Sequence, residues 1–158
     1  MEQFLIVFPD CNEEIKVNLL KDKAPKTCEK FLEAIDTNVE TTGSHAIYTG
    51  REISVQLPFP RENDFGMSNI PKENLTCFPL PGDILFTYMP EHAFGGNPNA
   101  IYDIGLFYGR DSRTFFPMGW LPGNLFAQVA DNSELQKLEK MGEKIRNGGN
   151  EKIIFKRS

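Results

Sequence analysis

The sequence predicts a mainly β protein: a small closed barrel with one helix near each end. Three observations predict it. The chain has 158 residues, which suits one domain over 1–158 with one core. Short runs of alternating or wholly apolar residues recur along it, broken by glycine and proline. Only two segments carry apolar residues at helical spacing with start and stop signals. Many short strands with few helices favour a barrel or sandwich, with the helices covering its ends or open edges.

Gln3 to Phe8 reads as a strand apolar on both faces, and Pro9-Asp10-Cys11-Asn12 as a turn. Glu14 to Leu20 then alternates Ile15, Val17 and Leu19 against Glu14, Lys16 and Asn18, the second arm of a hairpin. Pro25 suits the first position of a helix, because its missing N–H would be unpaired there anyway. Cys28, Phe31, Leu32 and Ile35 form its apolar stripe, and Asp36, Thr37 and Asn38 end it. Strands are expected at His45–Tyr48, Glu52–Leu57, Asp83–Tyr88, Ile101–Tyr108 and Asn124–Ala130. A proline-rich loop spans Pro58 to Pro81, with room for one weak strand, and a second loop spans Pro90 to Ala100. Ser133 with Gln136 reads as a capping box for the last helix. Its buried stripe is Leu135, Leu138, Met141 and Ile145, and Gly148 stops it. Glu151 to Lys156 closes the chain as a strand.

Net charge is −5, and no Lys/Arg cluster precedes the tail KIIFKRS. Binding to nucleic acid or to an anionic membrane needs a concentrated basic face, so neither partner is expected. The apolar run Phe4–Phe8 is too short for a signal segment or a membrane span, which leaves a cytoplasmic protein as the expectation. Cys11, Cys28 and Cys77 cannot all pair and have no C-x-x-C spacing, so they read as small buried hydrophobes. His45 and His92 lie too far apart for a zinc spacing. Gly95-Gly96-Asn97-Pro98-Asn99 lacks the Lys-Ser/Thr of a phosphate loop. No metal and no cofactor is expected.

The stretch Lys16-Val-Asn-Leu-Leu-Lys-Asp-Lys-Ala-Pro-Lys-Thr-Cys-Glu-Lys-Phe31 resembles the start of a cyclophilin. Three further motifs resemble an uncharacterised prokaryotic branch of the cyclophilin-like superfamily. They are Gly50-Arg-Glu-Ile-Ser-Val-Gln-Leu-Pro58, Phe78-Pro-Leu-Pro-Gly-Asp-Ile-Leu85 and Leu121-Pro-Gly-Asn-Leu-Phe-Ala127. The resemblance implies a closed cyclophilin-like barrel of the eight-strand type, and a metabolic rather than a protein-folding role in a bacterium. Isomerase cyclophilins carry Phe-His-Arg after the first helix, then Phe-Met-x-Gln-Gly-Gly. Here the matching place is Ser44-His45-Ala46, and Gln56 is followed by Leu57-Pro58. The arginine that would donate to the prolyl amide has become alanine.

The expected site therefore moves to Gly50-Arg51-Glu52. Strand alternation puts Tyr48, Glu52 and Gln56 on one face, provided Gly50 does not bulge the strand. Arg51 and Glu52 are the candidate catalytic pair, able to hold a polar group or to do acid–base work. His45 is a candidate base or ligand, or a ring bonded to backbone. Trp120, in a glycine-flanked turn, can wall a pocket or pin a loop. Asn124 can donate to a ligand carbonyl or hold its own turn. Tyr108 and Arg113 lie close to a strand end and suit a carboxylate.

Three functions are consistent with these residues. The first is a small-molecule site built from Tyr48, Arg51, Glu52, Tyr108, Arg113 and Asn124. The second is prolyl isomerisation at an altered site. The third is a non-catalytic assembly module, or homo-oligomer, using an apolar face around Phe59, Phe65 and Phe78.

Overall fold

The computed structural model describes residues 1–158. In chain order the strands are β1 (Gln3–Phe8), β2 (Glu13–Leu19), β3 (Val39–His45), β4 (Glu52–Gln56), β5 (Leu75–Thr76), β6 (Asp83–Met89), β7 (Ile101–Phe107), β8 (Phe115–Phe116), β9 (Gly119–Trp120), β10 (Gly123–Val129) and β11 (Glu151–Arg157). Helix α1 (Pro25–Ala34) follows β2, and α2 (Asn132–Gly148) follows β10. The main sheet runs β2-β1-β11-β3-β4-β7-β6-β10, and pairing of β10 back onto β2 closes it into an eight-stranded barrel. Two-residue β5 adds to the edge of β10, and β8 and β9 form a separate small hairpin.

Alternation sets what each strand puts inside. On β4, Ile53 and Val55 are fully buried, and on β7 so are Ile104 and Leu106. Phe4, Phe31, Phe126 and Phe155 meet at the centre, with Phe4–Phe31 ring centroids 4.8 Å apart and Phe31–Phe126 5.1 Å apart. Phe31 belongs to α1, so this helix plugs the barrel with an aromatic ring. Its N-terminus is capped from a distance, because the preceding Ala24 has no side chain that can accept. Instead Glu73, in the long loop, accepts from the Lys26 and Thr27 amides and from the Thr27 hydroxyl.

Helix α2 lies across β2, β3, β4 and β10, strands from both sides of the barrel. Its cap is Asp131, not the expected Ser133: Asp131 Oδ1 accepts from the Glu134 amide at 3.0 Å, and the Ser133 hydroxyl donates to Asp131. Glu134 reaches over to accept from the Lys16 amide at 2.8 Å, which ties the helix to β2. Gly142 lets α2 rest on the Tyr108 ring, whose carbons lie 2.5 Å from where a Cβ would stand.

One strand differs from its expected place. β3 occupies Val39–His45, and the Ala46–Arg51 segment is the turn that leads into β4. The run VETTGSH has few apolar residues to advertise a strand, but Val39–Gly43 pair with β11 and Gly43–His45 with β4. No helix is long and apolar enough to cross a membrane. All three cysteines are free, and burial pushes the Cys28 thiol up to about 12.

Candidate functional site

The outer face of β3, β4, β7 and β6 carries an unusual set of polar residues. Directly opposite residues in antiparallel strands share a face, and the register pairs Ser44 with Ser54, Gln56 with Asp103, and Thr87 with Asp103. The turn after β3 rises over this face, helped by Gly50, which adopts φ +100°. Phe94, from the loop after β6, and Phe116, from β8, complete the walls. Together they enclose a cavity of about 260 Å³.

Two carboxyl groups stand in this cavity. Glu52 is only 5% exposed, and its Oε1 accepts a hydrogen bond from the buried Thr49 hydroxyl. Asp103 Oδ1 accepts from the Ser54 hydroxyl at 2.7 Å. Gly105 faces both through strand alternation, and its bare Cα makes room for Glu52. A Cβ there would lie 2.2 Å from Glu52 Oε2 and 2.9 Å from the Phe107 ring. Burial, and secondarily the Asp103 charge, raise Glu52 well above the carboxylate range, with the Thr49 hydroxyl opposing. Burial raises Asp103 to about 6, against a smaller opposing contribution from Ser54. Both carboxyls are thus held above their ordinary range, and two interacting groups lose their protons as a pair rather than independently. No lysine or arginine lines the cavity.

Of the expected site residues, the structure brings Glu52, Tyr48, Gln56 and His45 to this cavity. Tyr48 arrives by way of the turn rather than by strand alternation, and its ring sits 6.2 Å from that of Phe116. His45 lines the cavity with both ring nitrogens already engaged. Its Nδ1 carries the hydrogen and donates to the Ala46 carbonyl at 2.9 Å, while Nε2 meets the Tyr108 hydroxyl at 2.6 Å. Tyr108 thus supports the pocket rim from inside the core.

Four expected residues stand elsewhere. Arg51 is not a partner of Glu52: neighbours in an extended chain point to opposite sides, and its guanidinium pairs with Glu143 of α2 at 3.6 Å. Asn124 is buried as a brace, donating to Thr27 Oγ1 at 3.0 Å and to the Pro71 carbonyl at 2.9 Å. Arg113 is exposed and binds through its backbone to the Thr49 carbonyl. Trp120 is half exposed and packs on Phe78 and Phe115, with centroids 5.4 and 4.9 Å away. The expected apolar face is divided as well. Phe59 packs on the core and on Phe65, whereas Phe78 belongs with Trp120.

Asp103 is the residue that the sequence reading missed. Its signal is a lone acid in the apolar run IYDIGLF, two residues from a glycine, on a strand whose alternate residues Tyr102, Ile104 and Leu106 face the core.

A fold of eight closed strands with a helix at each end defines a cyclophilin-like protein. The chain belongs to the family described as "Protein of unknown function (DUF3830)", whose model matches residues 7–156. Among solved structures it is similar to McbB in complex with tryptophan, at TM-score 0.73 and 12% identity, over 99% of this chain and 45% of that one. The chain thus spans less than half the length of McbB. A hypothetical protein from Archaeoglobus fulgidus is similar at TM-score 0.54 and 18% identity, over 99% and 95% of the two chains. A cyclophilin-type peptidyl-prolyl cis-trans isomerase from Cryptosporidium parvum is similar at TM-score 0.54 and 13% identity, over 99% and 96%. At these identities the likeness shows the fold alone. No curated protein matches this chain.

Proposed function

We propose that this protein binds a small polar molecule, neutral or cationic, between Glu52 and Asp103 and exchanges protons with it. The observation that supports this most directly is the pairing of two carboxyl groups in one cavity, each with one oxygen engaged by a neighbouring hydroxyl and the other left free. Two titratable groups with different environments are how an active site keeps an acid and a base together at one pH. Either carboxyl can take a proton from the bound molecule or return one to it. Ser54 and Thr49 orient them, and Gln56 and Ser44 offer further hydrogen bonds at the rim.

The cavity of 260 Å³ equals about nine water volumes, which suits a metabolite rather than a folded partner. McbB, which shares this fold over 45% of its length, is seen in complex with tryptophan, a molecule of metabolite size. The net charge of −5 disfavours a reaction on nucleic acid. Prolyl isomerisation is the weaker reading, because no guanidinium lines the cavity to donate to a prolyl nitrogen. A proline-peptide assay is expected to give no rate above background.

The test is a thermal-shift screen of metabolites on the wild-type chain, Glu52→Gln and Asp103→Asn. Hits are expected to stabilise the wild type and to lose their effect in both variants. Hits that persist unchanged in both would place the site elsewhere.

A further inference from the structure

The chemistry of the cavity walls narrows the ligand class. Each carboxyl has one oxygen engaged by a neighbouring hydroxyl, Thr49 on Glu52 Oε1 and Ser54 on Asp103 Oδ1. The second oxygen of each accepts from no protein donor, and that of Glu52 occupies the space that Gly105 leaves open. A ligand with two or more N–H donors would meet both oxygens. Beside them stand three aromatic rings: Tyr48 and Phe94 flank Phe116, with centroids 6.2 and 6.4 Å from it. Aromatic faces next to carboxylates attract a cation, and a desolvated cation gains most from them. The remaining titratable groups at the wall are the Tyr48 phenol and His45, the latter with both nitrogens engaged by the protein, and β6 contributes only Thr87 and Met89. With no lysine or arginine to receive it, a ligand carboxylate or phosphate would have no counter-charge.

We propose that the ligand of this site is a small primary amine, bound as its ammonium ion, with an apolar or aromatic body and no anionic group in the cavity. This rests on Glu52 and Asp103 being the binding groups. Binding has a proton balance of its own. The ammonium enters fully protonated, its charge replaces the proton held by the carboxyl pair, and that proton leaves to solvent. Two carboxylates then face one ammonium, with no bond made or broken in the ligand.

Three probes of nearly equal shape separate charge from size: benzylamine, benzyl alcohol and benzoate. Calorimetry at pH 7 in phosphate and in HEPES reads both affinity and proton release. Benzylamine is expected to bind at least about tenfold more tightly than benzyl alcohol, with up to one proton released, and benzoate not to bind. Glu52→Gln should abolish the proton release, and Asp103→Asn should weaken benzylamine by about tenfold or more. These variants are near-isosteric, and either one suffices if the other fails to fold. Equal binding of amine and alcohol, or uptake of a proton, overturns the amine assignment. So does the failure of all three probes to bind. Carboxyl chemical shifts followed against pH then separate the two failures. A raised, coupled titration of Glu52 and Asp103 leaves the site in place without the amine; ordinary titration removes the site itself.

Discussion

Asp64 and Asp103 are two aspartates set by adjacent residues of one strand, and they are held in opposite ways. Tyr102 turns its hydroxyl to Asp64 Oδ2 at 2.7 Å, and the Gly66 amide reaches Oδ1 at 2.9 Å. Burial works against the Asp64 charge, but donors from Ser68, Tyr102 and the Gly66 amide outweigh it and hold the carboxyl below its ordinary range. Asp103, one residue after Tyr102, has a single hydroxyl and a carboxyl neighbour, and it is pushed up to about 6. Burial alone does not decide the fate of a charge; the supply of donors does. Glu73 and Glu134 also have their oxygens claimed by donors, Glu73 by the Lys26 and Thr27 amides and Glu134 by the Lys16 amide. In the Glu52–Asp103 pair the fold leaves one oxygen of each carboxyl unclaimed, which is why we propose it as a place where a ligand supplies the donors.

The comparison can be broken most forcefully at Asp64. Asp64→Ala strands a buried hydroxyl and an amide, and is expected to cost about 3 kcal/mol in urea unfolding. Gly105→Ala attacks the other side: a Cβ meets Glu52 and the Phe107 ring, with an expected loss of about 1–3 kcal/mol together with loss of ligand binding. If Gly105→Ala leaves ligand binding intact, Glu52 is not where the ligand sits.

The pH dependence of stability separates the two aspartates by sign. Asp103 is raised in the folded state, so its contribution is full below the ordinary 3.8 and declines as pH climbs through about 6. Asp64 is lowered, so its contribution is present above 3.8 and is lost as pH falls through its depressed value. Asp103→Asn should therefore stabilise the chain more at pH 7 than at pH 4.5, and Asp64→Asn should flatten the acid limb. Melting temperatures of both variants across pH 2 to 8 check this.

Smaller effects sharpen the picture. Glu73→Ala removes the only side-chain acceptor at the start of α1 and should cost about 1 kcal/mol in urea unfolding. Arg51→Ala breaks an exposed pair with Glu143 and should change stability by less than about 0.5 kcal/mol, with ligand effects unaltered.

The barrel and both helices were legible because their signals are local. Ile15, Val17 and Leu19 alternate, and Phe31 and Leu138 sit on stripes at helical spacing. Pro25 and Gly148 punctuate them. The caps were less legible: Asp131 stands two residues before the expected Ser133, and Glu73 reaches α1 from 46 positions along the chain at Thr27. The site was half legible for the same reason. Glu52, Tyr48, Gln56 and His45 lie close together in sequence and arrive together. Asp103 joins them only through the β4–β7 register, which no local spacing reveals. Arg51 was misplaced because a glycine turn was expected to present two neighbours to one side, whereas the extended chain separates them.

Closure of the barrel also has a consequence in time. β1 lies between β2 and β11, with Phe4 opposite both Val17 and Arg157. The first strand therefore waits for the last, and the side of its Phe4 ring that meets Phe155 stays open until β11 has docked. A ladder that joins residue 4 to residue 157 makes folding slow, on the order of milliseconds to seconds, whatever the final stability. During synthesis the β1–β2 hairpin is exposed the longest, so a variant that unpairs β11 should be met first by chaperones at that hairpin.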